Sequence, residues 1–500
     1  MRMNNIPVSI GKQIIDILTA GMYNQSLMII REYIQNSVDA IDDAVNAGLL
    51  RHKDGKVNIK IDGSHRNLRI EDNGIGVPND QVVKILCSLG CSNKNHNVSR
   101  GFRGIGRLGG IGYCKHLQFE TRHSSKEKVA IVEWNCDLLR EYLLEKNNLS
   151  INEVIDKAVK IDYKKADKKT PPNFMNVSLF GVRPFHRDEL MNPPMIFSYL
   201  SQIAPVPFNE ISFPIYNNII EHIKDMCGYR EYCIYLNNQQ LFRPHTLEFE
   251  VSGGKTDSIK SVELFNINNH SNDIIGKGWY AKTSFLASIP PRVKMRGIRV
   301  RQGNIEIGGE YFLEDYFTER RFSTWHIGEI YLNNSIKTNA RRDGFEQSSE
   351  YEAFLEQSSS LAKYLSLLCR SASKNRNVHI SLDRLITQLE ILTENNIYID
   401  ENHFHKTFSN IKIIYNRLQS ILNDNTICME KMKRFEVCQK RINKIHKNPT
   451  YLRNQIDRRT VRHLDAVDVI IDLANAIIVN SNGNSKYNNI NNKILEPYLN

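Results

Sequence analysis

Glu32, Asn36 and Asp39 stand at i, i+4 and i+7 within Arg31-Glu32-Tyr33-Ile34-Gln35-Asn36-Ser37-Val38-Asp39-Ala40. On a helix that spacing sets all three on one stripe, roughly opposite the apolar one. A carboxylate one turn from an amide can orient a water beside a metal-bound phosphate; a solvated polar face would carry the same letters. Further on, Asp72 opens the turn of Ile70-Glu71-Asp72-Asn73-Gly74-Ile75-Gly76-Val77-Pro78. Strand alternation gives Asp72 the same face as Leu68 and Ile70, where a carboxylate needs a hydrogen-bond partner. An acceptor-only group in an apolar pocket suits an exocyclic amine such as that of adenine. Gly74 and Gly76 permit a tight backbone and close ligand approach, and also suit a plain turn. The third constellation runs from Ser99 to Tyr113, where Gly101, Gly104, Gly106, Gly109, Gly110 and Gly112 make six glycines in twelve positions. Such a run exposes backbone N–H groups, and a helix starting after it would add a favourable dipole end for phosphate. It does not directly follow a strand in a βαβ unit, which argues against a dinucleotide-binding fold.

Local periodicity supplies the elements that would carry these groups. Residues 10 to 50 read as helical, with Leu27, Ile30, Ile34, Val38 and Ile41 on one stripe. Val57, Ile59 and Ile61, then Leu68, Ile70 and Asp72, alternate with polar residues about Asp62-Gly63-Ser64, which is a strand-turn-strand pattern. Strands are also expected at Leu117 to Thr121 and Met175 to Val182. Short β-like runs, such as Glu231 to Leu236 and Gly297 to Val300, mark a second α/β region from about 210 to 340. Beyond about 350 the apolar spacing becomes helical, and the Asn-rich stretch from Asn480 to Asn492 reads as a loose tail.

Taken in order, the three constellations resemble the E-x-x-x-N-x-x-D-A, D-x-G-x-G and glycine-rich lid motifs of the GHKL ATPases, the class of gyrase, heat-shock protein 90, histidine kinases and MutL. The Asp39-Ala40 ending is similar to the chaperone, gyrase and MutL branches. Ile105 to Tyr113 resembles the heat-shock protein 90 lid with one extra glycine. The resemblance implies an α/β (α+β) fold: an N-terminal Bergerat-fold sandwich of mixed sheet and helices over 1–185, an α/β middle domain over 186–346, a helical region over 347–480 and a flexible tail over 481–500. It further implies ATP and Mg²⁺ as ligands, Glu32 as the general base, Asn36 as the magnesium ligand and Asp72 as the adenine reader. Asp39, Ala40, Gly74 and Gly76 would line the nucleotide, and Lys94 with the six lid glycines would close over it. In that family a Gly-Thr pair usually supports the adenine-binding Asp, whereas this chain has Phe174-Met175-Asn176-Val177. A second resemblance lies at Asn339-Ala340-Arg341-Arg342-Asp343, similar to the loop through which the middle domain of heat-shock protein 90 offers an arginine to the γ-phosphate; Arg342 takes that role, unless the basic turn is simply surface.

Bulk properties set the remaining expectations. Five hundred residues exceed one hydrophobic core. No apolar run of about eighteen residues exists and the start lacks a signal-peptide core, so a cytoplasmic protein is expected. Nine scattered cysteines fit reduced thiols better than a metal site or disulfides. The net charge of +11 is concentrated in a run that includes Lys431, Lys433, Arg434, Lys440, Arg441, Lys444 and Lys447. That run is either a solvated helical face or a surface for an acidic partner. Two functions compete: an ATP-driven, possibly homodimeric chaperone-like clamp acting on a protein client, and a nucleic-acid clamp of the MutL or MORC kind.

Overall fold

The computed structural model describes residues 26–87, 106–124, 127–144, 151–184, 186–226, 229–339, 343–394, 397–398, 400–424 and 429–451. The chain divides into two compact units, residues 1–373 and 374–500.

Among the described residues the first element is α1 (Leu27–Asn46), whose apolar stripe of Leu27, Ile30, Ile34, Val38 and Ile41 is buried throughout. Strands β1 (Lys56–Asp62) and β2 (Asn67–Asp72) form the expected antiparallel hairpin, with Ile59 opposite Ile70 and Val57 opposite Asp72. A short 3₁₀ turn (Gly106–Gly112) leads directly into β3 (His116–Arg122) and then β4 (Val129–Asn135). No α-helix start follows Gly112 before β3, so the glycines from Gly106 onward lie within this 3₁₀ segment. Next come α2 (Cys136–Leu144), α3 (Ile151–Ala158), β5 (Val159–Lys164), β6 (Phe174–Phe180), α4 (Pro193–Ile203) and α5 (Tyr216–Ile223). Strands β7 (Cys233–Leu236) and β8 (Gln239–Gln240) complete an eight-stranded sheet of order β5-β4-β3-β6-β2-β1-β7-β8. Among the described strands of this sheet only the β1/β7 pairing is parallel, and residues expected in the middle domain finish the sheet. Asn237 and Asn238, both at positive φ, make the tight turn between β7 and β8. Helices α1 and α4 share one core with this sheet through Ile34, Val38, Ile196 and Leu200.

A hairpin of β9 (Glu248–Val251) and β10 (Lys255–Ser258) precedes a five-stranded mixed sheet. That sheet contains β11 (Ser261–Asn268), β12 (Ile274–Lys282), β13 (Gly297–Gln302), β14 (Ile305–Ile307) and β15 (Ile327–Leu332), in the order β11-β12-β15-β13-β14. Strand alternation divides its two faces between separate cores: Tyr280 and Ile330 pack with Phe354 and Leu365 of α6 (Ser349–Glu394), while Trp279 and Tyr331 pack with Ile219 and Ile223 of α5.

The described residues of the second unit are mostly helical, as the spacing beyond 350 predicts. Leu382, Leu385, Ile386 and Leu389 of α6 meet Ile411 and Leu418 of α7 (Glu401–Asp424) and Phe435 and Cys438 of α8 (Met429–Lys447). Two residues of β16 (Ile397–Tyr398) pair in parallel with β17 (Thr450–Tyr451). No described helix is long and apolar enough to cross a membrane. The Asn-rich tail lies outside the described residues.

Candidate nucleotide site

Helix α1 is buried on more than its apolar stripe. Glu32 is 8% exposed and Asp39 6%, while Asn36 is half-buried. A solvated face is thereby excluded, and the polar stripe must be held by other groups. One is next to it in the chain: Arg31 Nη2 lies 3.4 Å from Glu32 Oε1. The phenol of Tyr199 on α4 is pushed up to about 12 by burial, and the charges it feels include Arg31, Glu32, Glu306 and Glu189. Helix α4 therefore lies within electrostatic reach of the catalytic candidate on α1.

Asp72 closes β2 at 7% exposure, as its alternation with Leu68 and Ile70 predicts. Its Oδ1 accepts from Gly74 N–H at 3.0 Å. The loop that follows is clamped from three sides. From α1, the Ala40 carbonyl accepts from Ile75 N–H at 2.9 Å, and a Cβ at Gly74 would stand 2.6 Å from Ala40. From β3, Thr121 Oγ1 accepts from Val77 N–H and donates to the Phe174 carbonyl, both at 2.9 Å, and His123 Nδ1 lies 3.0 Å from the Ile75 carbonyl. At the start of β6, Asn173 Nδ2 donates to the Gly74 carbonyl at 2.9 Å. Gly76 has φ +70°, and a Cβ there would come 2.1 Å from the Arg122 carbonyl oxygen, so no other residue fits without moving the loop. Asn73 completes the fastening through Lys56 N–H and the Asp54 carbonyl, each at 2.8 Å.

The lid is described in part. Lys94, Gly101 and Gly104 lie outside the described residues. Gly106, Gly109, Gly110 and Gly112 fall in the 3₁₀ turn that packs on α1. There Gly110 N–H donates to Tyr33 Oη at 3.0 Å, and a Cβ on Gly110 would lie 2.4 Å from that oxygen. At the near end of the turn, Arg107 Nη1 donates to the Ile85 carbonyl at 2.5 Å. The γ-phosphate candidate Arg342, with Arg341, is also outside the described residues. The neck of its loop is tied by Asn339 Nδ2 to Asp343 Oδ1 at 2.7 Å and Asn339 N–H to the Gly344 carbonyl at 3.0 Å.

Sequence reasoning missed Thr121, Asn173 and Tyr33. Thr121 had a signal: it is the third inward position of the alternation Leu117, Phe119, Thr121, and a hydroxyl on an apolar face needs partners. In the β3–β6 register it stands opposite Met175, which itself faces Asp72 across β2–β6. A threonine hydroxyl is thus present beside the loop, supplied by a neighbouring strand. Asn173 and Tyr33 carried no such signal, because their partners are distant in the chain.

Six cysteines are described, and all are free thiols; Cys87, Cys114, Cys136, Cys369 and Cys438 are buried. Among the described residues no cluster of His, Cys, Asp and Glu could hold a metal ion.

Residues 23–162 match the family model described as "Histidine kinase-, DNA gyrase B-, and HSP90-like ATPase". The chain is similar to the protein named "Chaperone protein HtpG" from Geobacter metallireducens, at 27% identity over 143 residues, 25% of this chain and 22% of that one. It is also similar to the protein of that name from Porphyromonas gingivalis, at 23% over 146 residues (26% of this chain, 21% of the relative). The one from Rickettsia rickettsii matches at 26% over 151 residues (27% and 24%). The matched region spans between about a fifth and a quarter of these relatives' own length.

Proposed function

We propose that the chain binds ATP with Mg²⁺ and hydrolyses it to ADP and phosphate, a reading supported by the match of residues 23–162 to the histidine kinase-, DNA gyrase B- and HSP90-like ATPase family model. The observation that carries this reading is the clamped loop from Asp72 to Val77. It offers a buried carboxylate for an exocyclic amine, on a loop whose Gly74 and Gly76 pack so closely on Ala40 and the Arg122 carbonyl that a Cβ at either would clash. In the proposed reaction Glu32 accepts a proton from a water as its oxygen bonds to the γ-phosphorus. The bond from that phosphorus to the β,γ-bridging oxygen breaks, ADP departs, and the proton passes from Glu32 to solvent. Asn36 would hold the magnesium ion. A single neutral amide suits an ion that keeps several waters and takes its other oxygens from phosphates. The ion would supply neutralising charge at the phosphates.

The finer reading is a chaperone-like clamp: the lid closes over nucleotide through Lys94 and the glycines, Arg342 reaches the γ-phosphate, and a possible homodimer remodels a protein client. Support comes from the likeness to HtpG proteins and from the tied neck of the Asn339–Asp343 loop. On this reading 1–185 is the ATP-binding domain, 186–346 the transducer-like middle domain and 347–480 the helical domain. A second reading, a nucleic-acid clamp, has one observation in its favour. On α8, Lys431 and Arg434 are engaged with Asp383 and Glu390, whereas Lys433, Lys440, Arg441, Lys444 and Lys447 are exposed and form no ion pair among the described residues.

Phosphate release and calorimetry on the parent and Glu32→Gln test the primary reading. The variant should bind ATP nearly as the parent does, with turnover lower by roughly 10²–10⁴. Parental turnover in the variant would remove Glu32 as the base, and a parent that neither binds nor hydrolyses ATP would overturn the reading altogether.

A further inference from the structure

A second concave surface has no residue of α1 in its lining. It is an open cleft of about 640 Å³ lined by Phe197 and Ser201 of α4, Gln239 and Gln240 of β8, Phe242 and Lys294, among others. Four features of it point to one kind of occupant. First, β8 is the terminal strand of the eight-stranded sheet. Gln239 is paired with Leu236, and Leu241 N–H donates inward to the Ile234 carbonyl at 2.9 Å. The alternation of an antiparallel ladder then turns the N–H and C=O of Gln240 to the open edge, where another strand can pair with them. Second, polar capacity is left over: among the described residues the buried Ser201 hydroxyl has no hydrogen-bond partner, nor does either ring nitrogen of His245, another lining residue. Third, apolar surface is on offer. Phe197 and Phe242 line the cleft, and Ile211, 94% exposed, stands on the turn between the lining residues Asn209 and Ser212. Fourth, the charge is one-sided. Lys294 is exposed and makes no ion pair among the described residues, no lining residue is acidic, and the Arg243 guanidinium is already engaged by Glu329.

We propose that this cleft docks an extended, acidic peptide segment of a partner protein, with its backbone pairing on β8, an apolar side chain against Phe197, Phe242 and Ile211, and a carboxylate at Lys294. An open sheet edge favours a strand over a compact metabolite, since only a strand uses the free backbone pair. The proposal does not depend on ATP chemistry.

The probe is a fluorescein-labelled, end-capped hexapeptide alternating glutamate with leucine, and its counterpart with lysine for glutamate. Each is titrated by anisotropy with the full chain and no nucleotide. The acidic peptide should bind saturably and the lysine peptide roughly tenfold more weakly, as charge complementarity at an interface dictates. Lys294→Glu should reverse that order, and Ile211→Ser should weaken both peptides; both substitutions are at exposed positions, and unchanged circular dichroism verifies their fold. Absence of saturable binding, equal affinity for the two peptides, or indifference to Lys294→Glu would overturn the proposal. So would displacement of the peptide by phenyl phosphate at the peptide's own concentration, which would make the cleft a small-anion site.

Discussion

In the proposed function, Asp72 is the residue on which nucleotide recognition would turn. A buried carboxylate accepts through both oxygens, Oδ1 here receiving Gly74 N–H, and an amide in its place loses charge while keeping shape. Asp72→Asn should therefore weaken ATP by about 1.5–3 kcal/mol, the range for hydrogen bonds to charged groups, or roughly 10- to 150-fold in affinity. Calorimetry giving parental affinity would remove Asp72 as the adenine reader. Gly76 bears on the same loop differently: its positive φ and the Arg122 carbonyl leave no alternative residue, so the loop's shape is set by backbone contacts, and Asp72 would supply the proposed adenine contact.

Between elements, the question is how the second sheet bears on the first site. Arg230 Nη1 and Tyr232 Oη both donate to Asp42 Oδ1 of α1, at 2.9 and 2.7 Å. The Arg230 carbonyl accepts from Asn304 Nδ2 at 2.7 Å, and Asn304 accepts from Arg243. Arg243 and Arg301 share the fully buried Glu329, and Arg301 also donates to the Gln202 carbonyl of α4. Burial alone would push the Glu329 carboxyl up, but these two guanidinium groups hold it well below the usual carboxylate range. In the proposed function the 339–343 loop, which follows β15 in the chain, would present an arginine to the γ-phosphate. Arg342→Ala should slow hydrolysis much more than it weakens ADP, since an arginine acting on developing γ-phosphate charge has no partner in ADP. Arg341→Ala is the companion for a register shifted by one. Parental phosphate release in both variants would reduce the loop to a surface turn.

At the scale of the whole molecule, two predictions concern acid and salt. His326 and His245 are buried, and desolvation pushes both down to about 3. They stay neutral in the fold while an unfolded chain would protonate them near 6.5. Their contribution to stability is thus full above pH 6.5 and falls as pH drops from 6.5 toward 3. His326 stacks on Phe317 with its Nε2 3.2 Å from Cys369 Sγ, so His326→Phe keeps the stacking and removes one titration. Urea midpoints followed by tryptophan fluorescence should decline between pH 7 and 5 in the parent and less steeply in the variant; parallel declines would count against burial of a neutral imidazole. The salt prediction addresses α8. If its five exposed cations meet a polyanion, DNA or RNA affinity should fall steeply with salt, and replacing Lys440, Arg441, Lys444 and Lys447 with Gln should flatten the log–log slope by roughly 0.7–0.9 per lost phosphate contact. Gel shifts at two salt concentrations decide it. No binding by the parent near roughly 50 mM salt, where such contacts are strong, would retire the nucleic-acid reading.

What the sequence determined by itself was whatever depends on local period. The α1 stripe, the β1/β2 hairpin and the inward face of Asp72 follow from repeats of 3.6 and 2, and the motif order pointed to the ATPase family before any fold was known. The tertiary structure alone decided which polar groups are enclosed and by whom. That Glu32 and Asp39 are buried, that Thr121, Asn173 and Ala40 fasten the loop after Asp72, that Gly110 spends its N–H on Tyr33, and that β7 joins the first sheet beside β1 all rest on partners far apart in the chain. Side-chain period names the face a residue takes, but it does not say what that face will meet, because pairing across a sheet is set by packing and burial that no local window contains.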